Sequence, residues 1–468
     1  MTTQTEGRRL NGHLGPIGIV FMVVAAAAPL TVIGGNMPLA MGLGNGAGAP
    51  VGFVIAALVL LVFSVGFVTM TPYVPEAGAF FSYVTLGLGE RLGKGVAVVA
   101  LIAYTAIQIG IYGYIGWAIG DTVQFYGGPQ LPWPIYSFVI LAIVAVLGYR
   151  HIDLSAKVLG LALALEIGIV VVLDLVMVTN PGPAGVTLAS FSPSVFTQGT
   201  IGIAILFALT GFIGFEATAV FRDEARDPER TIPIATYAAV IIIGAFYAIT
   251  VWAFVVAIGP DNVTAVANQT LDGEGNMLLD TTETMLGTIG RDIVNVLLLT
   301  SLFACVLSFH NVIARYQFVL SRKGLLPARL AAVHDGHQSP AFSSVVQTIT
   351  AAIIVGILAV FGIDPLVGVF GSMAGVATVG MVILMLTTSV AVLVFFLRNR
   401  DRVSGVWQTR IAPALAVLGL LGCLWLVLSN FTLVTGGSVG LSAVLAAIPF
   451  LGLVIGALAW KPSTSISS

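Results

Sequence analysis

The stretch 28-APLTVIGGNMP-38 lies inside an apolar run that begins near Pro16. Two prolines, two adjacent glycines and an asparagine are poor helix formers. A helix break in hydrocarbon leaves backbone N–H and C=O groups without partners, so it is tolerated only where the chain faces protein or a water-filled cavity. The stretch therefore predicts a membrane span that is interrupted for a packing or a functional reason.

The composition places the whole chain in a membrane. Of its 468 residues 58% are hydrophobic and 9% are charged, whereas soluble domains carry about 25% charged residues. Apolar runs of about 20 residues recur along the sequence, so we predict an all-α membrane protein with about twelve transmembrane helices. The predicted spans are 16–43, 48–70, 95–120, 132–149, 155–178, 199–221, 232–259, 286–318, 341–362, 366–397, 410–431 and 438–460.

The positive charges predict the orientation of these spans. With this arrangement all but one of the 19 Lys and Arg residues lie on the same side, and only Arg291 lies on the other. Because positively charged loops stay in the cytoplasm, we expect a multi-pass protein of the plasma membrane with cytoplasmic tails at 1–15 and 461–468. The acidic connection 260–283 is then extracellular.

A second interruption is predicted in the sixth span, 207-FALTGFIGFEATAVF-221, where Thr210, Gly211 and Gly214 precede Glu216. The first and sixth spans occupy matching places in two five-helix halves, 16–180 and 196–400, with the last two spans in 408–460. Small residues in a span can serve close packing alone. Paired interruptions at matching places instead favour a transporter site at the bilayer midplane.

Three further motifs resemble a known family. They are 74-VPEAGAFFSYVTLGLG-89, 211-GFIGFEATAVFRDEARDPERTIPIA-235 and 315-RYQFVLSRKGLLP-327. In this order they are similar to motifs of the amino acid–polyamine–organocation permeases. The resemblance implies a five-plus-five inverted repeat, unwound helices 1 and 6 around the substrate, and a path lined by spans 3, 8 and 10. It also implies proton-coupled or exchange-coupled transport of amino acids or related amines.

The first span departs from the family pattern, because the G-[SA]-G-I-F segment of the family is absent. Either Gly34-Gly35-Asn36 or Pro29-Leu30-Thr31 could stand in its place. Pro29 lies 14 residues after Gly15, about 21 Å along a helix and past the middle of a core about 30 Å thick. We therefore expect the binding loop to extend over Pro29 to Gly35. The candidate substrate-binding residues are Pro29, Leu30, Thr31, Ile33, Gly34 and Gly35 of span 1, Tyr104 and Gln108 of span 3, and Thr210, Gly211, Phe212 and Gly214 of span 6.

Acidic residues inside the spans are candidates for proton coupling, because buried charges are costly and are kept mainly for function. Glu166 lies in the middle of span 5, and Glu216 matches the span-6 glutamate of the resembled family. Glu166 could exchange a proton, pair with a substrate ammonium group, hold a cation, or be a neutral carboxyl bonded to a carbonyl. Glu216 could instead stabilise the unwound backbone. Asp174 is nearer the outer end of span 5; we expect it to reach interfacial water, and a coupling role is the alternative.

Other function classes lack their motifs. The sequence has no P-loop, H-E-x-x-H, G-x-S-x-G or paired C-x-x-C pattern. We expect no enzyme activity, cofactor, metal site or nucleic-acid partner, and we interpret Cys305 and Cys423 as small core residues. The expected partners are an amino acid or amine, protons and the lipid bilayer. A polyamine or organic cation carrier and an amino acid exchanger remain alternatives, and a channel is a more distant one.

Overall fold

The computed structural model describes residues 15–74, 80–150, 156–220, 225–332, 340–400 and 405–458, and the regular elements there are helices. The α-helices are α1 (Pro16–Ala26), α2 (Pro29–Thr31), α3 (Met37–Leu39), α4 (Ala49–Met70), α5 (Phe80–Leu88), α6 (Glu90–Phe125), α7 (Trp133–Tyr149), α8 (Ala156–Thr179), α9 (Pro193–Phe196), α10 (Ile201–Thr210), α11 (Ala217–Val220), α12 (Pro228–Ile258), α13 (Val263–Leu271), α14 (Met277–Arg322), α15 (Ala341–Val360), α16 (Ser372–Arg398), α17 (Ala412–Ser429) and α18 (Val439–Leu458). Shorter π-helical or 3-10 segments are Val32–Asn36, Ala40–Asn45, Gly46–Gly48, Thr71–Tyr73, Ala189–Phe191, Ala328–Ala331, Pro365–Gly371, Trp407–Ile411 and Phe431–Thr435.

The helices have the length and composition of membrane spans. Within the described ranges, 9 helical segments are long and apolar enough to cross a bilayer, and two shorter apolar helices are α7 and α10. The prediction of an all-α membrane protein is therefore confirmed at this level. The predicted tail 461–468, and the tail 1–15 except for its last residue, lie outside the described residues.

Helix ends extend beyond the predicted spans. The helix α6 has 36 residues; the run α14 has 46, but Gly287, with a φ of 73° and a ψ of 178°, is not helical and divides it into two helices. Both helices carry polar residues at their ends, so hydropathy detects only their apolar middle parts. The helix α13 lies within the predicted acidic connection 260–283, and α5 lies between the predicted spans 48–70 and 95–120.

The core is built around α6 and α16, which are buried along most of their length. Small residues let α6 approach its neighbours closely. A Cβ added at Gly380 of α16 would come within 2.9 Å of the Ala103 side chain of α6. One added at Gly113 of α6 would come within 2.6 Å of Val369, in the segment that precedes α16. Such small-residue contacts let transmembrane helices approach closely. This packing fixes α6, and with it the Tyr104 side chain, beside the second helix break.

Candidate substrate and proton site

The first helix break lies at Ala27 and Ala28. The helix α1 ends at Ala26, Ala28 adopts a left-handed conformation (φ 47°, ψ 73°), and a new helical run begins at Pro29. Proline suits the first turn of a helix because the N–H group that it lacks would have no intrahelical partner there. The prediction of an unwound loop over Pro29 to Gly35 is therefore wrong: the break comes earlier, and these residues are helical.

The second helix break lies where the sequence predicted it. The helix α10 ends at Thr210, residues 211–216 form successive turns, and Gly214 has a φ of 109° that favours glycine. Within this segment Glu216 is only 5% exposed. Its Oε2 accepts a hydrogen bond from the Gly214 backbone N–H at 2.9 Å, and its Oε1 accepts one from the Tyr104 hydroxyl at 2.6 Å.

Glu166 lies beside the first break. It projects from α8 and is 5% exposed. Its Oε2 accepts a 3.0 Å hydrogen bond from the Ser301 hydroxyl. The Leu30 backbone N–H donates to the same oxygen over a longer distance, 3.5 Å. Thr31 donates to the Ser301 hydroxyl at 3.4 Å. Each helix break thus directs one backbone N–H group toward a buried glutamate.

Asn36 joins the two broken spans directly, a contact that sequence reasoning missed. Its side-chain amide donates a 2.8 Å hydrogen bond to the Phe207 carbonyl oxygen of α10. A buried asparagine inside an apolar run was the available signal, because polar groups within a span usually have a partner. Tyr247 also supports the first break, since its hydroxyl donates to the Ala27 carbonyl at 3.1 Å.

Aromatic side chains pack against two of the candidate glycines. A Cβ added at Gly34 would collide with the Tyr114 hydroxyl, and one at Gly35 would come within 2.8 Å of both the Tyr114 and Phe370 rings. Ile33, the residue before this glycine pair, is also buried. The structure therefore places this glycine pair against aromatic side chains, on the helical run that follows the break.

The two candidate residues of span 3 have different partners. Tyr104 binds Glu216, whereas Gln108 accepts a 2.6 Å hydrogen bond from Gln347 and lies 3.4 Å from His310 Nδ1. The other ring nitrogen of His310 lies 2.8 Å from the Ser344 hydroxyl. Gln108 therefore belongs to a buried polar cluster of α6, α14 and α15 rather than to the Glu216 contacts.

Thr210 and Phe212 flank the second break as buried residues. The Thr210 hydroxyl lies 2.6 Å from that of Thr378 on α16, and the Phe212 ring packs edge-on against Tyr247 with centroids 6.4 Å apart. Gly211 approaches Val32, since a Cβ added there would lie 3.1 Å from that side chain. These contacts bring the two breaks together.

Asp174 is buried, and the expectation that it reaches interfacial water is wrong. Only 8% of this residue is exposed, because α12 covers its face of α8 and the Thr250 hydroxyl donates to Oδ2 at 2.8 Å. Hydropathy along one helix does not show which face a neighbouring helix covers. Cys305 and Cys423 are free and buried, as expected for small core residues.

The chain was compared with known proteins. The amino acid permease family model matches residues 14–458. The chain is 24% identical to the branched-chain amino acid permease BcaP of Bacillus subtilis over 448 residues, which cover 91% of this chain and 90% of that protein. It is 20% identical to the aspartate-proton symporter of B. subtilis, over 44% of this chain and 41% of that protein. It is 21% identical to the methylthioribose transporter of B. subtilis, over 82% of this chain and 81% of that protein.

The family match covers nearly the whole described chain, including both helix breaks and both buried glutamates. The chain therefore belongs to the amino acid permease family, within the amino acid–polyamine–organocation superfamily, and is a membrane permease rather than an enzyme.

Proposed function

We propose that this permease imports an amino acid or a related small amine across the plasma membrane by alternating access, together with a proton. The observation that carries the proposal is the shared arrangement at the two helix breaks. At one, the Leu30 N–H group faces Glu166, and at the other the Gly214 N–H group bonds to Glu216. Relatives named for amino acid and proton transport support the same function.

The architecture that we propose has twelve spans in two inverted halves of five, 16–180 and 196–400, followed by two peripheral spans. The described helices occur in each predicted span. Both termini lie in the cytoplasm in this arrangement, by the distribution of Lys and Arg. The two breaks then lie on either side of one pseudo-twofold axis, near the bilayer midplane.

Substrate and proton binding are linked by charge at the first break. Backbone N–H groups at the start of a helix attract a carboxylate, and those of Leu30 and Thr31 begin the run after Ala28. A negatively charged Glu166 would repel a substrate carboxylate from the same N–H groups. Protonation of Glu166 removes that repulsion, so the proton and the substrate carboxylate bind together, and release of the proton to the cytoplasm expels the substrate.

The substrate ammonium group requires acceptors of its own. Backbone carbonyls at the two breaks and the carboxyl of Glu216 provide them, because an unwound helix end leaves C=O groups without intrahelical partners. Tyr104 orients the Glu216 carboxyl through its hydrogen bond to Oε1. Phe212, buried beside the second break, is placed to pack on the side chain of the substrate.

A second candidate is a carrier of polyamines or other organic cations. Glu166, Asp174 and Glu216 are buried, whereas Arg291 is the only buried Lys or Arg among the described residues, and its ion pairs are with Asp280 and Glu283. This excess of buried acid favours a cationic cargo. Such a carrier would not need the N–H groups of the first break to bind a carboxylate.

Uptake by the purified protein in liposomes separates these functions. We expect saturable uptake of leucine driven by an acidic outside, and competition by amino acids but not by amines that lack a carboxylate. Uptake of putrescine in preference to leucine would support the cation carrier. Uptake that requires internal amino acid and ignores the pH gradient would show an exchanger.

The Glu166→Gln variant tests the proton site. We expect it to bind leucine but to lose the dependence of uptake on the pH gradient, because glutamine keeps the hydrogen bonds and cannot release a proton. Glu229→Gln, at an exposed position on α12, is the matched control and should behave like the unmodified protein. Unchanged pH dependence in Glu166→Gln would contradict the assignment of the proton to this residue.

A further inference from the structure

Asp174 has an oxygen that the fold leaves without a partner. Its Oδ2 accepts from Thr250, but within the described part of the chain its buried Oδ1 has no hydrogen-bond partner. The residue is more than nine-tenths buried, and Thr250 is fully buried. Because an unpaired carboxylate is costly inside a span, this environment is suited to a carboxyl group that carries a proton on Oδ1.

Among the described residues the buried Lys or Arg side chain is Arg291, which pairs with Asp280 and Glu283 rather than with this carboxyl group. The helix α8 packs against α12, α14, α1 and α2, and the described parts of α1 and α2 contain no ionisable side chain. Ionisable groups near α8 on the other helices include Tyr247 on α12 and Cys305 and Asp292 on α14. Tyr247 and Cys305 lie near Glu166, whereas Asp292 lies at an apolar groove with Val172.

Asp174 and Glu166 lie on the same side of α8. They are separated by eight residues, so they stand about 12 Å apart along the helix axis and about 80° apart around it, within one broad face of the helix. On the neighbouring helix, Tyr247 and Thr250 are three residues apart and also share a face. Thr250 donates to Asp174, and Tyr247, whose hydroxyl donates to the Ala27 carbonyl at the first break, lies near Glu166. The seam between α8 and α12 therefore carries hydroxyl groups beside both acids.

We propose that Asp174 is a second proton-binding site, which supplies Glu166 along this seam. The proposal rests on the proton-coupled transport proposed above, in which Asp174 is on the extracellular side of Glu166. The O–H bond at Oδ1 breaks, the proton passes through water that enters the seam to the Glu166 carboxylate, and a new O–H bond forms there. Asp174 is left as a carboxylate that accepts from Thr250, and it regains a proton from outside.

A metal cation does not fit this position. Asp174 and Thr250 offer three side-chain oxygens between them, whereas cations held by oxygen take about six or more ligands. Among the described residues no group of three or more His, Cys, Asp or Glu residues could hold a metal ion. A proton needs only the one free oxygen of the carboxyl group.

Infrared spectroscopy of the full-length protein at several pH values tests the proton site directly. We expect Asp174→Asn to remove one component of the absorption band of protonated carboxyl groups, and Glu166→Gln to remove a different one. Thr250→Val keeps the Asp174 carboxyl but removes its hydrogen-bond donor, so it should shift the frequency of the Asp174 component. This variant tests the same site if Asp174→Asn does not fold. An unchanged band in these variants would overturn the proposal.

Uptake measurements test the supply of protons to Glu166. With an acidic outside, Asp174→Asn should lower the initial rate of uptake by about a hundredfold, the lower end of the range for a positioned proton-transfer group. Asp292→Asn is the matched control on α14 and should keep the rate of the unmodified protein. An uptake rate in Asp174→Asn equal to that of the unmodified protein overturns the proposal. Absence of uptake by the unmodified protein contradicts the proposed transport function instead. In that case the infrared measurement decides whether Asp174 binds a proton.

Discussion

The Tyr104 hydroxyl donates a 2.6 Å hydrogen bond to Oε1 of Glu216, although the two residues are 112 positions apart in sequence. The contact joins α6, the most extensively packed helix of the core, to the break that follows α10. The other carboxyl oxygen of Glu216 is held by the Gly214 N–H group. Both oxygens of a buried acid are therefore occupied, which fixes its position at the break.

We predict that Tyr104→Phe destabilises the structure around the second break. The phenylalanine keeps the ring but leaves Oε1 of Glu216 without its donor, and an unsatisfied buried polar group costs about 1–3 kcal/mol. The thermal unfolding midpoint of the purified protein should fall, and uptake in liposomes should fall with it. Tyr104→Phe combined with Glu216→Gln should recover part of the stability, and equal losses in the single and double variants would contradict the contact.

Ala28→Gly should stabilise the protein. Ala28 has a φ of 47°, and the left-handed conformation costs a residue with a Cβ about 1–2 kcal/mol. Because glycine has no such penalty, we expect the free energy of unfolding to rise by up to about 1 kcal/mol. Ala142→Gly, at an exposed position within α7, should lower it by about 1 kcal/mol instead. A decrease in both variants would indicate that the Ala28 conformation carries no strain.

Gly34→Ala should destabilise the helical run after the first break. The added methyl group would collide with the Tyr114 hydroxyl and come within 3.2 Å of Leu278, and overpacking of this kind costs about 1–3 kcal/mol. Tyr114→Phe should restore stability in the double variant, because it removes the colliding oxygen.

Two controls accompany that measurement of thermal unfolding. In the described part of the chain the buried Tyr114 hydroxyl has no hydrogen-bond partner, so Tyr114→Phe alone should be nearly neutral. A Cβ at Gly422 meets nothing within 4 Å, so Gly422→Ala should not destabilise. A loss in Gly34→Ala that Tyr114→Phe fails to relieve would contradict this packing.

Arg291 should stabilise the part of α14 that packs against Phe125 of α6. Its guanidinium donates to Asp280 at 2.7 Å and to Glu283 at 3.1 Å, and it lies 3.6 Å from the centroid of the Phe125 ring on α6. Arg291→Gln removes both ion pairs and the cation–π contact. We expect a loss of about 1–3 kcal/mol, since Arg291 is buried while its acidic partners are partly exposed.

Salt dependence separates these contributions at Arg291. The ion pairs reach solvent through Asp280 and Glu283, so added salt should weaken them. Arg291→Lys keeps the charge but loses the flat stacking on Phe125, and it should show an intermediate thermal midpoint with a salt dependence like that of the unmodified protein. An unfolding midpoint in Arg291→Gln equal to that of the unmodified protein would show that these contacts add nothing to stability.

The sequence alone determined the class of protein and the existence of both helix breaks. Apolar runs and the scarcity of charge are sufficient to predict a helical membrane protein, because hydrocarbon admits only backbone that satisfies its own hydrogen bonds. The clusters around Pro29 and Gly211 are sufficient to predict interruptions, since proline and glycine disfavour helix interiors locally. The buried glutamates were also predictable as candidates, because acids inside apolar runs are rare.

The tertiary structure decided where the first break lies and which groups meet there. Pro29 can either end a helix or begin one, and only the left-handed Ala28, supported by the Tyr247 hydroxyl on the Ala27 carbonyl, selects the second possibility. The contact of Leu30 with Glu166 joins residues 136 positions apart. Burial of Asp174 likewise depends on Thr250 of another helix. Such contacts arise from helix packing, which the periodicity of a single segment does not encode.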